Sequence, residues 1–288
     1  MSVNIQTITD IRKLIIAELT PFYPETEIRS LSDIIIKTLF GAGRLQQLSQ
    51  PEMVVPPEKV KRIEEITAEL KQGRPLQYIL GETVFYNCNF RVNEHTLIPR
   101  QETEELVDLI IKENKGYLGR IIDLGTGSGC IAVALAKNLP GTNVTAVDIS
   151  IEALETAKLN AADNAVTVCF LKADMLVPDK IPCKPAGIIV SNPPYVRESE
   201  KSVMHKNVLE HEPHSALFVP DNDPLKYYRA IIGAAGILLE TGGRIYFEIN
   251  EAMGSEVASL ARRNGLKNVV IIKDLNEKDR FVKGEKNG

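Results

Sequence analysis

Short apolar runs alternate with amphipathic helical patterns along the chain from residue 117 onward. Strands of a parallel sheet are covered on both faces, so they appear as near-continuous apolar runs, and the helices between them cross over the sheet. The predicted strands are Arg120–Leu124, Asn143–Asp148, Val166–Leu171, Gly187–Val190, Arg244–Glu248, Asn268–Ile272 and Arg280–Lys283, and the predicted helices include Cys130–Leu139, Ile151–Asn164 and about Pro224–Leu239. This order predicts an α/β fold with a doubly wound, Rossmann-like sheet.

The first part of the chain has helical spacing instead. We predict a small helical bundle, with one helix capped by Thr9 or Asp10, a second over about 25–40 and a third that begins at Pro57. From Glu82 the apolar residues recur at alternate positions, which predicts a β-hairpin: Val84, Tyr86, Cys88, Phe90 and Val92. A length of 288 residues suits two domains. We therefore predict a helical substrate-recognition domain over 1–81, a hairpin linker over 82–98 and a catalytic domain over 99–288.

A glycine-rich loop follows the first strand of the predicted sheet: Gly125, Thr126, Gly127, Ser128 and Gly129. Glycine permits a tight turn and a close approach of a ligand to the N–H groups at a helix N-terminus. The dinucleotide fingerprint Gly-x-Gly-x-x-Gly places its third glycine where this chain has Cys130, which disfavours a nicotinamide cofactor. We predict that the loop contacts an adenosine-bearing ligand.

Acidic residues end or follow the next two strands. Asp148 stands about 20 residues beyond the loop, where a carboxylate accepts hydrogen bonds from ribose hydroxyls. Asp174 can accept from an adenine amino group while Met175 packs on the ring, although a solvated loop acid is an equal alternative for Asp174. No phosphate-binding lysine follows the glycine loop. A ligand with an amino group and a carboxylate beside its adenosine therefore fits best, and S-adenosylmethionine is such a ligand.

The segment Asn192-Pro193-Pro194-Tyr195 follows the predicted strand Gly187–Val190, at a position where open α/β sheets bind ligands. Consecutive prolines hold the two residues before them in extended conformations and remove backbone donors. The Asn192 side-chain oxygen and the Pro193 carbonyl can each accept one N–H of a planar –NH2 group, and Tyr195 can stack on that group. We predict Asn192, Pro193 and Tyr195 as catalytic, and all four residues as substrate-binding, with Asn192 also near the cofactor. The alternative is a stiff turn, for which Asn and Pro are equally typical.

The histidines and cysteines lack the spacing of metal ligands, so no metal site is predicted. His205, His211 and His214 share one loop without a carboxylate partner pattern. The cysteines are predicted to be small buried side chains: Cys88, Cys130, Cys169 and Cys183. A formal net charge of -4 argues against a phosphate backbone as the main partner. No signal segment or membrane-spanning run is evident, so we expect a cytoplasmic protein.

The glycine loop, the strand-end acid and Asn-Pro-Pro-Tyr, in this order, resemble the class I S-adenosylmethionine-dependent methyltransferases that act on planar exocyclic nitrogens. Within that group the chain is similar to the PrmC/HemK family, the protein-glutamine methyltransferases of peptide-chain release factors. Further segments carry the resemblance: Arg74–Gly81, Phe85-Tyr86, Leu97–Glu104, Glu212-Pro213, Ala216-Leu217 and Asp279-Arg280.

The resemblance implies a class I methyltransferase fold, a helical domain that helps to dock a release factor, and methylation of the glutamine in a Gly-Gly-Gln motif. We expect a monomer that binds neither membranes nor nucleic acid directly. Two alternatives stay open. An adenine-N6 nucleic-acid methyltransferase would present the same planar donors to Asn192. A non-catalytic nucleotide-binding module would use Asn192–Tyr195 merely as a turn.

Overall fold

The computed structural model describes residues 7–41, 43 and 49–287. The chain divides into two compact units, Met1–Leu80 and Gly81–Gly288. Parts of the predicted helical domain, residues 1–6, 42 and 44–48, lie outside the described residues. No helix in the described ranges is long and apolar enough to cross a membrane.

The described part of the first unit is helical, as predicted. Its helices are α1 Ile8–Leu19, α2 Glu25–Phe40, α3 Pro57–Lys71 and α4 Leu76–Leu80. The predicted cap of α1 is wrong by two or three residues, because Thr7 accepts from the Asp10 backbone N–H and the Asp10 carboxylate accepts from the Thr7 N–H. This reciprocal capping box satisfies donors that the helix itself leaves free. Isoleucines at helical spacing form the buried core, including Ile11, Ile15, Ile35, Ile63 and Ile66.

The predicted hairpin is present and belongs to the second unit, as β1 Glu82–Phe85 and β2 Cys88–Arg91. Tyr86 and Asn87 form its turn with φ values of 45° and 58°. Phe85 and Phe90 are buried and meet edge to face, with ring centroids 5.9 Å apart. The predicted alternation is wrong before the turn, where Val84 is 56% exposed, because the two-residue turn reverses the chain and shifts the apolar phase.

The remaining strands are β3 Arg120–Leu124, β4 Asn143–Asp148, β5 Cys169–Lys172, β6 Ala186–Ser191, β7 Val196–Arg197, β8 Phe218–Val219, β9 Leu239–Glu248, β10 Leu266–Lys273 and β11 Asp279–Lys286. Seven of them form one sheet in the second unit, with the order β10-β11-β9-β6-β3-β4-β5. Neighbouring strands run parallel from β9 to β5, and β11 is antiparallel to both β9 and β10. The remaining helices are α5 Gln101–Glu113, α6 Cys130–Asn138, α7 Ile151–Asp163, α8 Lys206–His211, α9 His214–Leu217, α10 Lys226–Leu238 and α11 Gly254–Arg263. The doubly wound sheet predicted from the sequence is confirmed.

Two predicted strand starts were wrong by three residues or more. β5 begins at Cys169 rather than Val166, because the Val166 N–H donates to the Ala161 carbonyl and closes the end of α7. β9 begins at Leu239 rather than Arg244. Its pairing with β6 shifts register after Ala186, and Gly242 has a φ of 74° inside the strand. A glycine inside a strand often marks such a bulge. The sequence prediction treated Gly242 as a strand boundary and therefore began the strand too late.

Successive strand residues point to opposite faces of the sheet, and each face has its own core. One core joins the sheet to α5 and α6 and includes Ile121, Ile188, Val190 and Tyr246. The other joins it to α10 and α11 and includes Ile122, Leu124, Ile189, Ile245 and Phe247. The central strands are therefore rigid platforms for the loops at their ends.

The chain order reverses between β3 and β6. From β3 the chain proceeds to β4 and β5 on one side, and then returns to place β6 on the other side. Asp123 of β3 is paired with Val190 of β6, so Gly125 and Asn192 each lie two residues beyond the same rung. The Ser191 hydroxyl donates to the Leu124 carbonyl at 2.6 Å and joins the two strand ends. Ligands of open α/β sheets bind at such a switch point.

Candidate active site

The glycine loop is held by hydrogen bonds to its neighbour strand. The backbone N–H groups of Gly125 and Thr126 both donate to the Val147 carbonyl, at 2.9 and 3.0 Å. Gly125 has a φ of 78°, and a Cβ placed on it would stand 2.6 Å from the Met175 terminal methyl. The backbone conformation therefore favours glycine at 125, whereas the flexible end of Met175 could move away from a Cβ.

Asp148 organises the same loop from the end of β4. Its Oδ2 accepts from the Gly127 N–H at 2.8 Å, and its Oδ1 accepts from the Ser150 N–H at 2.9 Å. We expected the loop N–H groups to face a ligand, but that of Gly127 serves this carboxylate instead. Burial raises the pKa of Asp148, and the two backbone hydrogen bonds oppose the rise. Each carboxylate oxygen retains a lone pair with which it can accept a hydrogen bond from a hydroxyl group.

Asp174 and Met175 follow β5 and reach the same region. Asp174 Oδ1 accepts from the Leu176 N–H at 2.8 Å, which fixes the turn after the strand. Both side chains are half-buried. Met175 packs over Gly125 and gives this end of the pocket an apolar wall.

One cavity brings most of the predicted site residues together. Those that line it are Gly125, Thr126, Gly127, Ser128, Asp148, Asp174, Met175, Asn192 and Pro194. Gly129, Pro193 and Tyr195 are not among the lining residues. Gly129 caps α6 with a φ of 80°, and a Cβ there would meet Ala157 at 2.9 Å. Gly129 therefore allows α6 to pack closely on α7. The contact of Gly129 with the cofactor stays a prediction.

Asn192 is anchored by its amide nitrogen. Asn192 Nδ2 donates to Thr103 Oγ1 at 3.1 Å, and the Thr103 hydroxyl donates to Glu248 Oε2 at 2.6 Å. The Tyr195 hydroxyl donates to the other oxygen of the same carboxylate, Glu248 Oε1, at 3.1 Å. The side-chain oxygen of Asn192 is thereby left for a donor in the cavity. Stacking of Tyr195 on a substrate, which we expected from the sequence, stays a prediction because its hydroxyl is engaged with Glu248.

An ion pair between half-buried Arg100 and buried Glu212 fixes another wall of the cavity. Glu212, whose side chain is 1% exposed, accepts from Arg100 Nη2 at 2.5 Å and from the Ile98 N–H at 3.2 Å. Arg100 and Pro213 both line the cavity. A charged group is buried at acceptable cost when it is paired and hydrogen-bonded. The segment before α5 is thus tied to the segment between α8 and α9.

Asp123 is fully buried in β3, two residues before Gly125. Thr126 Oγ1 donates to its Oδ2 at 2.6 Å. Burial raises the pKa of Asp123 to about 7, and the nearby Asp148 carboxylate adds to the rise. The charge on this side chain therefore changes with pH in the neutral range.

We expect the Asp123→Asn variant to gain stability relative to the parent as pH rises from about 4 to about 7. An unfolded chain releases this proton near the ordinary value of 3.8, whereas the folded chain keeps it until about 7. The folded parent holds the extra proton throughout that window, so this group lowers its stability with rising pH by up to about 1.4 kcal/mol per pH unit. Asparagine has no such proton. Urea unfolding across the window measures the difference.

Asp179→Asn is the matched control, because Asp179 is exposed and its removal should leave the pH profile of the parent unchanged. Parallel profiles for Asp123→Asn and the parent would contradict the assignment of this titration to Asp123.

Sequence reasoning missed Thr103 and Glu248 as a pair. The acidic residues beside Thr103 have partners of their own: Glu104 accepts from the Tyr86 N–H at 2.7 Å and Glu105 from the Leu275 N–H at 3.0 Å. Glu248 ends β9 at the carboxyl edge of the sheet, as Asp148 ends β4, and that shared position was the available signal. Thr103 lies in the segment Leu97–Glu104 that carries the family resemblance, but no role was predicted for it.

Within residues 7–41, 43 and 49–287, no cluster of three or more His, Cys, Asp or Glu side chains is arranged to hold a metal ion. His214 Nε2 lies 2.8 Å from the Leu209 carbonyl, and its ring meets Phe218 edge to face. Cys88 and Cys130 are buried as predicted, and Cys183 is intermediate. The prediction was wrong for Cys169, which is exposed because β5 is the edge strand of the sheet.

Two family models match the chain. A PrmC N-terminal domain matches residues 11–81, and a methyltransferase small domain matches residues 102–217. Among solved structures, a methyltransferase from Pyrococcus furiosus superposes with a TM-score of 0.52 at 16% identity, covering 80% of this chain and 99% of that chain. The 16S rRNA N2 G1207 methyltransferase (RsmC) of T. thermophilus, solved in complex with AdoMet and guanosine, superposes with a TM-score of 0.51 at 16% identity, covering 72% of this chain and 50% of that one. The class I methyltransferase fold expected from the sequence is confirmed.

A curated relative defines the family more narrowly. The release factor glutamine methyltransferase of Flavobacterium psychrophilum is 44% identical over 280 residues, which are 96% of this chain and 98% of the relative. The match extends over both units of the chain. The chain therefore belongs to the release factor glutamine methyltransferase family.

Proposed function

We propose that this protein transfers a methyl group from S-adenosylmethionine to the side-chain amide nitrogen of the glutamine in the Gly-Gly-Gln motif of peptide-chain release factors. The observation that carries the proposal is the placement of Asn192, held through its nitrogen, in the same cavity as the glycine loop and Asp148. The name of the F. psychrophilum relative supports the choice of substrate.

The residues of the cavity fit S-adenosylmethionine. Asp148 has lone pairs for the ribose hydroxyls, and the loop at Gly125 leaves room for close approach of the ligand. Met175 offers an apolar contact to the adenine ring, and Asp174 an acceptor for its amino group. Like the dinucleotide folds, this site places its acid at the end of the strand next to the loop. When bound, S-adenosylmethionine supplies an electrophilic methyl group.

Asn192 and Pro193 supply the catalysis in this proposal. An amide nitrogen is a poor nucleophile because its lone pair is delocalised into the carbonyl, so positioning contributes most of the rate. The Asn192 side-chain oxygen and the Pro193 carbonyl each accept one N–H of the substrate amide. As positive charge develops on the nitrogen, its hydrogens become more acidic and both acceptors hold them more tightly. Tyr195 and Pro194 complete the substrate-binding set.

The first unit is the substrate-docking part of the proposal. The domain over 1–81 would contact the release factor, the segment 82–98 would link it to the catalytic domain, and 99–288 would carry the reaction. We propose further that the protein is cytoplasmic and monomeric and makes no direct contact with nucleic acid.

The test is transfer of radiolabelled methyl from S-adenosylmethionine to a purified release factor. We expect label in the intact release factor and none when the glutamine of its Gly-Gly-Gln motif is replaced by glutamate, because the acceptor nitrogen is then absent. DNA and ribosomal RNA are offered in parallel reactions. Label in either nucleic acid instead of the release factor would favour the adenine-N6 alternative, and failure to bind S-adenosylmethionine in calorimetry would favour a non-catalytic module.

A further inference from the structure

Thr103 and Glu248 are buried, at 2% and 1% exposure, and connect Asn192 to the protein interior. Thr103 lies in the first turn of α5, and Glu248 is the last residue of β9. Thr103 also lines the cavity, whereas Glu248 is not among its lining residues. Thr103 contacts Asn192 directly and Glu248 contacts Thr103, so together they can determine which way the Asn192 amide is turned.

The direction of the hydrogen bonds follows from the donors available. A carboxylate only accepts, so the single hydroxyl hydrogen of Thr103 is directed to Glu248. The Thr103 oxygen then has only lone pairs for Asn192 and must receive an N–H. The amide of Asn192 is therefore turned with Nδ2 toward Thr103 and Oδ1 away from it.

This direction belongs to the ionised form of Glu248, which can only accept hydrogen bonds. Burial raises the pKa of Glu248, but the hydrogen bonds from Thr103 and Tyr195 and the positive charge of Arg280 oppose the rise. Burial and the Glu248 charge raise the pKa of Tyr195, so its hydroxyl stays protonated and donates. Both oxygens of Glu248 thus accept from hydroxyl groups.

The geometry points to Thr103 and Glu248 as positioning residues that present the oxygen of Asn192, rather than its nitrogen, to the substrate amide. The inference rests on the proposed function, because it concerns the orientation that an N–H-bearing acceptor requires. A reversed Asn192 would direct its own N–H groups at those of the substrate. Donor would then face donor, and the acceptor amide would lose one of its two holding contacts.

Thr103→Val removes the hydroxyl at nearly constant volume. We expect the kcat for methylation of a release factor to fall by roughly 10-fold to 100-fold, because Asn192 loses its anchor. The KM for S-adenosylmethionine should stay unchanged, because the substitution leaves the glycine loop and Asp148 in place. Thr103→Ser keeps the hydroxyl and should retain kcat within about 3-fold of the parent.

Glu248→Gln tests the direction of the chain at constant shape. A glutamine that accepts from Tyr195 through its oxygen must offer its –NH2 to Thr103. The Thr103 hydrogen is then free to donate to the Asn192 oxygen, which favours the reversed amide. We expect a loss of kcat comparable with that of Thr103→Val, again without a change in the KM for the cofactor.

A double-mutant cycle separates positioning from general structural damage. If Thr103 acts through Asn192, adding Thr103→Val to Asn192→Ala should lower kcat no further. A second readout needs no methyl acceptor: the side-chain –NH2 resonance of Asn192, identified by its loss in Asn192→Ala, should shift in Thr103→Val and stay in place in Thr103→Ser. This measurement works even if the release factor proves to be the wrong substrate, so a failure of the inference and a failure of the proposed function are distinguishable.

The inference is overturned by any of three results. These are an additive loss in the double variant, failure of Thr103→Ser to retain kcat, and an unmoved Asn192 resonance in Thr103→Val. A shifted resonance together with a parent that methylates no release factor would support the positioning of Asn192 while rejecting the proposed substrate.

Discussion

Asn192→Ala should lower the kcat for methyl transfer by roughly 100-fold to 1000-fold, which is the range for removing one oriented hydrogen-bonding group that stabilises developing charge. The affinity for S-adenosylmethionine should change by less than about 3-fold, since the carboxylates and the glycine loop of the cavity remain. Single-turnover methylation of a release factor measures the first quantity and calorimetry the second.

Asn143→Ala is the matched control for this variant. Asn143 is exposed and begins β4, whereas the cavity lies at the other end of that strand, where Asp148 stands. Its turnover should equal that of the parent. Equal turnover in Asn192→Ala would instead remove Asn192 from the catalytic assignment.

Asp148→Ala should weaken S-adenosylmethionine binding by roughly 10-fold to 100-fold, since hydrogen bonds to a charged group contribute about 1.5–3 kcal/mol. The variant loses the acceptor for the ribose hydroxyls and also the partner of the Gly127 N–H, so both the ligand contact and the shape of the loop are affected. Calorimetric titration with S-adenosylmethionine measures the change. Unlike Asn192→Ala, this variant should recover most of its turnover at saturating cofactor.

Two companion variants sharpen the interpretation of Asp148→Ala. The Asp148→Asn side chain has nearly the shape of the parent side chain but keeps only one acceptor oxygen. Its affinity for S-adenosylmethionine should lie between those of the parent and Asp148→Ala. Glu155→Gln, on the exposed side of α7, should bind like the parent. An Asp148→Ala variant with the affinity of the parent would exclude Asp148 from the cofactor site.

The predictable parts of the site are those whose cause is local. The apolar run of β6 and the two prolines after Asn192 are neighbours in sequence, so the end of a buried strand and a rigid segment beyond it could be inferred together. The glycine loop and Asp148 were inferred in the same way, from a loop and the strand that follows it. The structure places all of these around one cavity.

The unpredictable parts depend on contacts between distant residues. Thr103 and Glu248 are 145 residues apart, and no periodicity or composition reveals that a helix turn will meet a strand end. His205, His211 and His214 were expected to share one loop, yet the segment from 196 to 219 contains β7, α8, α9 and β8. These elements are short, and β7 has β8 as its partner in a separate two-stranded sheet. Their formation follows from tertiary pairing more than from local propensity.

The double use of the Val147 carbonyl has a consequence for how the protein meets its methyl donor. Two consecutive amides of the glycine loop share that oxygen and Asp148 accepts from a third, so the protein's own hydrogen bonds hold the bend of the loop. Binding of the methyl donor then orders little additional backbone. In pockets whose loops become ordered only on binding, the lost conformational entropy opposes affinity. The conformation of the loop therefore depends on contacts within the protein and not on contacts with the methyl donor.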